Sequence, residues 1–176
     1  VDVVFPAVVR VRMSREPFRQ GRSDMLVQED WPAPPFALQT QENLLTLTTE
    51  RLRLGFPRFP WQMQAFVAQD AEPAVPFFSQ RIDDRAYGPG YEVLPTGFEE
   101  TPDGRLTVRE TIAVTPGESF YGFGERFTPL DKWGQELVLW AVDAGNASAY
   151  RSYKNVPFFM STAGYALFVH SSYPIV

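Results

Sequence analysis

The chain has 176 residues, enough for one domain with a real core and thin for two. An apolar share of 44% and a charged share of 21% exclude a disordered or fibrous chain, and no run approaches the roughly 18 apolar residues of a membrane-spanning helix. Sixteen Lys+Arg against 21 Asp+Glu leave a net charge of −5, which disfavours nucleic acid and membranes as partners, and the absence of Cys excludes a disulfide scaffold, a thiol nucleophile and a Cys zinc site.

The dominant sequence period is two. Val9, Val11 and Met13 alternate with Arg10 and Arg12. The stretch Glu16–Asp30 reads as a solvated loop or edge, and Trp31-Pro32-Ala33-Pro34-Pro35 as a turn cluster. Leu45 and Leu47 alternate with Thr46 and Thr48, and Leu52 and Leu54 continue on the opposite parity, so a bulge or tight turn is expected near Thr49-Glu50. After the turn Phe56-Pro57-Arg58-Phe59-Pro60, Trp61, Met63, Ala65 and Val67 form another alternating strand. Tyr87-Gly88-Pro89-Gly90 and Pro102-Asp103-Gly104 mark further turns. Leu106, Val108, Ile112 and Val114 hold even positions and predict one more half-buried strand. Leu137–Val142 and Ala166–Val169 are apolar on both parities, which suits central strands covered on both faces. No segment sustains a helical period over three turns. The expected fold is all-β, an antiparallel β-sandwich with at most one short helix.

Most short motifs fail. Gly122-Phe123-Gly124 is not followed by the third glycine of a dinucleotide fingerprint, and there is no P-loop. Asp83-Asp84 between Arg81 and Arg85 reads as a charged, self-paired turn, and Glu99-Glu100 as a solvated pair. Asn146-Ala147-Ser148 is a formal glycosylation sequon. His170, the only histidine, ends an apolar run and is expected to be a satisfied or surface residue, with a catalytic role the minority reading. Sugar hydrolysis needs two carboxylates about 5–10 Å apart, and no pair of acids can be assembled here from spacing alone. No catalytic residue is therefore assigned to this chain, and no metal or cofactor is called for. Phe leads the aromatics with 15 residues, against 7 Tyr and 4 Trp, which suggests core more than a sugar-stacking surface.

The tract from Phe120 to Val169 differs in kind, with Gly, Trp, Pro and paired charges at high density. Gly122 and Gly124 allow positive φ and close backbone approach. Glu125 and Arg126 are expected to pair and fix the turn. Asp143 follows the apolar run Leu137–Val142, so it is expected on a loop at the end of a rigid element, where a carboxylate can accept hydrogen bonds from vicinal sugar hydroxyls. On pattern alone it can equally cap a turn at Gly145.

Tyr121-Gly-Phe-Gly-Glu-Arg-Phe, Gly134-Gln135, Trp140-x-x-Asp143, Tyr153-Lys-Asn-Val-Pro-Phe-Phe-Met and Gly164-Tyr165 together resemble glycoside hydrolase family 31, the α-glucosidases, α-xylosidases and relatives. The resemblance is dense over residues 116–170 and is to the N-terminal domain, a galactose-mutarotase-like sandwich. It implies that residues 1–176 are the N-terminal domain of a longer retaining glycosidase of α-glucosides or α-xylosides. Its partner would be its own (β/α)₈ barrel, which carries the catalytic Asp pair downstream of Val176. It also implies that Asp143 contacts substrate, that Trp140 is structural, and that the sequence lies nearer the α-xylosidase-like branch. A chain that begins at Val1 without Met and ends as a new apolar run starts fits a piece of a longer protein. The alternatives are a free-standing carbohydrate-binding module and a purely structural sandwich. Lack of Cys is compatible with the cytoplasm and equally with export.

Overall fold

The computed structural model describes residues 1–17, 23, 25–70, 73–83, 93–143 and 152–176. Among them there are strands and no helix, and every strand ladder is antiparallel. The all-β antiparallel expectation holds. The chain forms two compact units, Val1–Ala113 and Val114–Val176.

In the first unit, β1 (Asp2–Phe5) and β2 (Val8–Arg10) make a hairpin. A five-stranded meander follows in chain order: β3 (Ala37–Gln41), β4 (Leu44–Thr48), β5 (Leu52–Pro57), β6 (Gln64–Val67) and β7 (Phe78–Ser79). Leu47 lies opposite Leu54, Leu54 opposite Ala65, and Ala65 opposite Phe78, so these four side chains form one buried stripe across four strands. Leu54 at 1% exposure is its centre, and burying one such side chain contributes about 1.5–3 kcal/mol. The parity change at Thr49-Glu50 is the expected tight turn. The Thr49 amide donates to the Leu52 carbonyl at 2.8 Å, and its hydroxyl accepts from the Arg51 and Leu52 amides at 3.2 and 2.9 Å. On the reverse face the Arg53 guanidinium lies 4.4 Å over the Phe66 ring, a cation–π contact.

A buried amide connects the meander to the next hairpin, β8 (Thr96–Glu100) and β9 (Leu106–Glu110). Gln80 is 2% exposed; its Oε1 accepts from the Met63 amide at 2.7 Å and its Nε2 donates to Thr96 Oγ1 at 2.9 Å and Glu110 Oε1 at 2.5 Å. Burial raises the Glu110 pKa in spite of the hydrogen bonds from Thr96 and Gln80. The Pro102-Asp103-Gly104 turn forms as expected, with Gly104 at φ 78°. The strand after it departs from expectation. Leu106 and Val108 are exposed, β9 ends at Glu110, and Ile112 makes a separate bridge to Gln80. A two-stranded ribbon such as β8–β9 has no neighbouring strand to extend cover over its apolar face.

In the second unit, β10 (Phe120–Gly124), β11 (Asn155–Ser161) and β12 (Ala166–Phe168) form one sheet with β11 central. Phe159 anchors an aromatic cluster: Phe123 stacks on it at 5.0 Å, and Phe120 and Tyr165 meet it edge-on at 5.7 and 6.3 Å. Trp133 stacks on Phe120 at 6.2 Å. Two expectations are corrected here. Ala166–Val169 is not a covered central strand: β12 is an edge, with Ala166 and Phe168 exposed. Leu137–Val142 forms no ladder. It makes single bridges through Leu139 to Ile175 and through Ala141 to Ser152, and only Leu139 in it is buried. The carbonyl of Val138 is taken by a side chain, Arg126, so hydrogen bonding along the run goes to isolated partners.

Glu118 (6% exposed) connects the start of this sheet to its far hairpin. It accepts from the Thr115 amide at 2.9 Å, from the Thr115 hydroxyl at 3.0 Å and from Ser161 Oγ. Burial raises its pKa, but hydrogen bonds from Ser161, the Thr115 amide, Tyr165 and the Thr115 hydroxyl outweigh it and hold the carboxyl below 4.5. Burial, and after it the same carboxylate, push the Tyr165 phenol up. A depressed carboxyl contributes stability that is fully present above the unfolded value, near 4.5, and is lost as pH falls through the lowered folded value. Melting temperature measured from about pH 6 down to about pH 3 should therefore show an acid limb in the parent chain that is flatter in Glu118→Gln.

Candidate functional site

The Tyr121–Gly124 motif is a place where two backbones nearly touch. Gly122 and Gly124 have φ of 136° and 85°. A Cβ on Gly122 would lie 2.4 Å from the Phe158 carbonyl oxygen, and one on Gly124 would lie 2.0 Å from that of Lys154. Both glycines are required by φ and by space. Phe123 between them also has positive φ, at 67°, and its ring is held against Phe159. The register of β10 with β11 shifts between Gly122 and Gly124, and beyond it the chain turns away from the ladder.

Glu125 and Arg126 do not pair with each other. Glu125 meets Lys154, with Nζ to Oε2 at 3.0 Å, and both side chains are exposed. That bond raises the Lys154 pKa. Arg126 has other partners. Its Nη2 donates to the Val138 carbonyl at 2.7 Å and to Asn155 Oδ1 at 2.5 Å. Its Nε and Nη1 are enclosed without a hydrogen-bond partner among the described residues, and burial pulls its pKa down. Lys132, 8% exposed, donates to Thr128 Oγ1 at 2.8 Å and to the Pro129 carbonyl. Burial and then the Arg126 charge lower its pKa.

Asn155 and Ser152 continue the arrangement. Asn155 Nδ2 donates to the Ser152 carbonyl at 2.7 Å, and the Val142 amide donates to the same carbonyl at 3.2 Å. Ser152 Oγ donates to the Glu125 carbonyl at 2.7 Å and accepts from the Lys154 amide at 3.1 Å. The chain arriving at Asp143 and the chain leaving Ser152 are thus bound to one another and to the Glu125-Arg126 corner. Asp143 is exposed and directly follows Val142. The proposed cap partner Gly145, and Asn146 with its sequon, lie outside the described residues, as do Asp84, Arg85 and the Tyr87–Gly90 turn. Trp140, expected to be structural, is 51% exposed. His170 is exposed, as expected, and stacks on Phe168 at 5.8 Å. Glu99 lies 2.9 Å from Arg109. Among the described residues no group of three acids or histidines gathers to hold a metal. Spacing had not singled out Ser152 and Asn155, although both sit in the Ser152–Ser161 tract that stood out by its composition.

A family model of the glycosyl hydrolase 31 N-terminal galactose mutarotase-like domain matches residues 1–175. The chain belongs to that family. Among its relatives, an α-xylosidase of Emericella nidulans is 48% identical over 59 residues, which are 34% of this chain and 7% of that enzyme. The α-xylosidase XylQ of Lactiplantibacillus pentosus is 43% identical over 65 residues, 37% of this chain and 8% of that enzyme. In fold, the glycoside hydrolase 31 domain resembles part of the Flavobacterium johnsoniae dextranase solved with glucose. The TM-score is 0.67 at 22% identity, over 90% of this chain and 18% of the dextranase. The α-xylosidase of Xanthomonas citri gives 0.65 at 18% identity, over 90% and 15%. The chain therefore spans a small fraction of each relative's length, and the two solved structures bear on its fold alone.

The close approach at β10 sets an expectation for stability. Gly124→Ala adds a Cβ inside contact distance of backbone and should cost well beyond the roughly 1–3 kcal/mol of positive-φ strain alone. Gly134→Ala, at φ 68° with nothing within 4 Å, should cost only that strain. Urea midpoints of the two variants give the comparison; equal losses would mean that the Lys154 carbonyl is not close to Gly124.

Proposed function

We propose that this chain is the non-catalytic N-terminal domain of a retaining α-glycosidase, with α-xylosides as the favoured substrates and α-glucosides as the runner-up. The observation that carries the reading is the family match over residues 1–175, joined to the identity with two α-xylosidases. The domain supports a catalytic (β/α)₈ barrel and lends it one substrate contact. Hydrolysis in such an enzyme passes through a glycosyl-enzyme intermediate formed by a carboxylate pair on the barrel.

Asp143 is the residue proposed to touch substrate. It is exposed, it carries a carboxylate, and it follows a segment whose backbone is pinned at Leu139, Ala141 and Val142. A rigid approach ending in an exposed acceptor suits recognition of sugar hydroxyls.

In the full-length protein, Asp143→Ala removes a charge-assisted hydrogen bond of about 1.5–3 kcal/mol. The value of kcat/KM on aryl α-xylosides should fall on the order of tenfold to a hundredfold. A contact made equally in ground and transition states appears mainly in KM. Melting temperature should be nearly unchanged. Normal kinetics with a lowered melting temperature in Asp143→Ala and Asp143→Asn would reduce Asp143 to a turn cap.

Purified residues 1–176 alone should release no nitrophenol from α-xyloside or α-glucoside substrates. Turnover above a heat-killed control, with copurifying enzyme excluded, would place catalysis on this chain.

A further inference from the structure

We propose that Arg126 is a positioning residue for Asp143, an inference that rests on the reading of Asp143 as a substrate contact. One nitrogen, Nη2, serves two acceptors on the two chain stems that flank residues 144–151. The Val138 carbonyl is five residues before Asp143, and Asn155 Oδ1 is three residues after Ser152. The contact is then relayed. Asn155 Nδ2 holds the Ser152 carbonyl, and that carbonyl also receives the amide of Val142, the residue bonded to Asp143. Arg126, Asn155, Ser152 and Val142 form a continuous line of hydrogen bonds ending one peptide from the proposed contact. The line closes on itself, because Ser152 Oγ donates to the carbonyl of Glu125, the residue before Arg126.

The chemistry fits a guanidinium better than another group. Its planar fork carries five N–H donors fixed in direction, so an acceptor position is set by angle as well as distance. Stability alone does not account for it. Two of its nitrogens are enclosed without a hydrogen-bond partner among the described residues, a desolvation cost that an apolar side chain of similar length would avoid. What the apolar side chain cannot do is hold Val138 and Asn155 at one spacing. Arg126 touches no substrate in this assignment and acts through the backbone that carries Asp143.

The test is a double-mutant cycle in the full-length protein, with aryl α-xyloside as the probe. Arg126→Met should raise KM on the order of tenfold, with kcat changed less than about threefold. Arg126→Lys should recover part of that loss. In an Asp143→Ala background, Arg126→Met should change KM by less than about twofold, because the contact it positions is already gone. Asn155→Asp keeps the acceptor for Arg126 but removes the donor to Ser152, and should reproduce the KM effect if Arg126→Met does not fold. Amide hydrogen exchange supplies a readout independent of turnover: in Arg126→Met or Asn155→Asp the Val142 amide should exchange at least about tenfold faster, with β4 and β5 unaltered. An equal KM penalty in both backgrounds, or unchanged protection at Val142, would overturn the assignment. A normal KM in Asp143→Ala would instead remove the contact reading, and the exchange at Val142 would then decide the clamp by itself.

Discussion

The second unit depends on one steric constraint: β10 and β11 run closer at Gly122 and Gly124 than any side chain permits. Because the two backbones meet there, the register shifts and the chain leaves the ladder as a corner at Glu125-Arg126. That corner sends one charge outward to Lys154 and the other inward to Val138 and Asn155. The aromatic cluster around Phe159 forms on the side of the sheet where Phe120 and Phe123 lie. A Cβ at either glycine would press on the β11 backbone and disturb both consequences together.

Polar hubs, rather than added apolar area, join the pieces of each unit. Gln80 links the meander to β8 and β9 with both ends of its amide used. Glu118 does the same in the second unit, joining Thr115 to Ser161 on the last residue of β11. A satisfied buried polar group fixes geometry strongly because leaving it unsatisfied is costly. Short strands in small sheets offer little apolar overlap, so such groups carry much of the alignment. The apolar faces left exposed, Leu106 and Val108 on β9 and Val156, Phe158, Met160 and Phe168 on the β11–β12 pair, match that economy.

The family match gives these features a functional frame. In the reading proposed above, the important property of Asp143 is where its backbone is held. The hydrogen bonds next to Asp143 hold the backbone at Val142, the residue before it, and at Ser152. Rigid stems reduce the ordering that binding must otherwise supply.

The sequence by itself determined the class of fold, the turn at Thr49-Glu50, the turn at Pro102–Gly104 and the freedom for positive φ at Gly122 and Gly124. These are local matters: period-two patterning, turn chemistry and positive φ are written in neighbouring residues. The family was also legible, because its motif residues stand in order along one stretch. Only the tertiary structure decided that β12 is an edge, that Leu137–Val142 is pinned by single bridges, and that Arg126 abandons Glu125 for Val138 and Asn155. An apolar run on both parities says that both faces tolerate burial, not that two layers exist to cover them. Adjacent opposite charges look paired on paper, but at the bend after β10 each finds a partner elsewhere. Lys154 and Asn155 lie 29 positions away, brought near by the β10–β11 pairing, and Val138 lies 12 away on a separate segment, so no local spacing rule points to any of them.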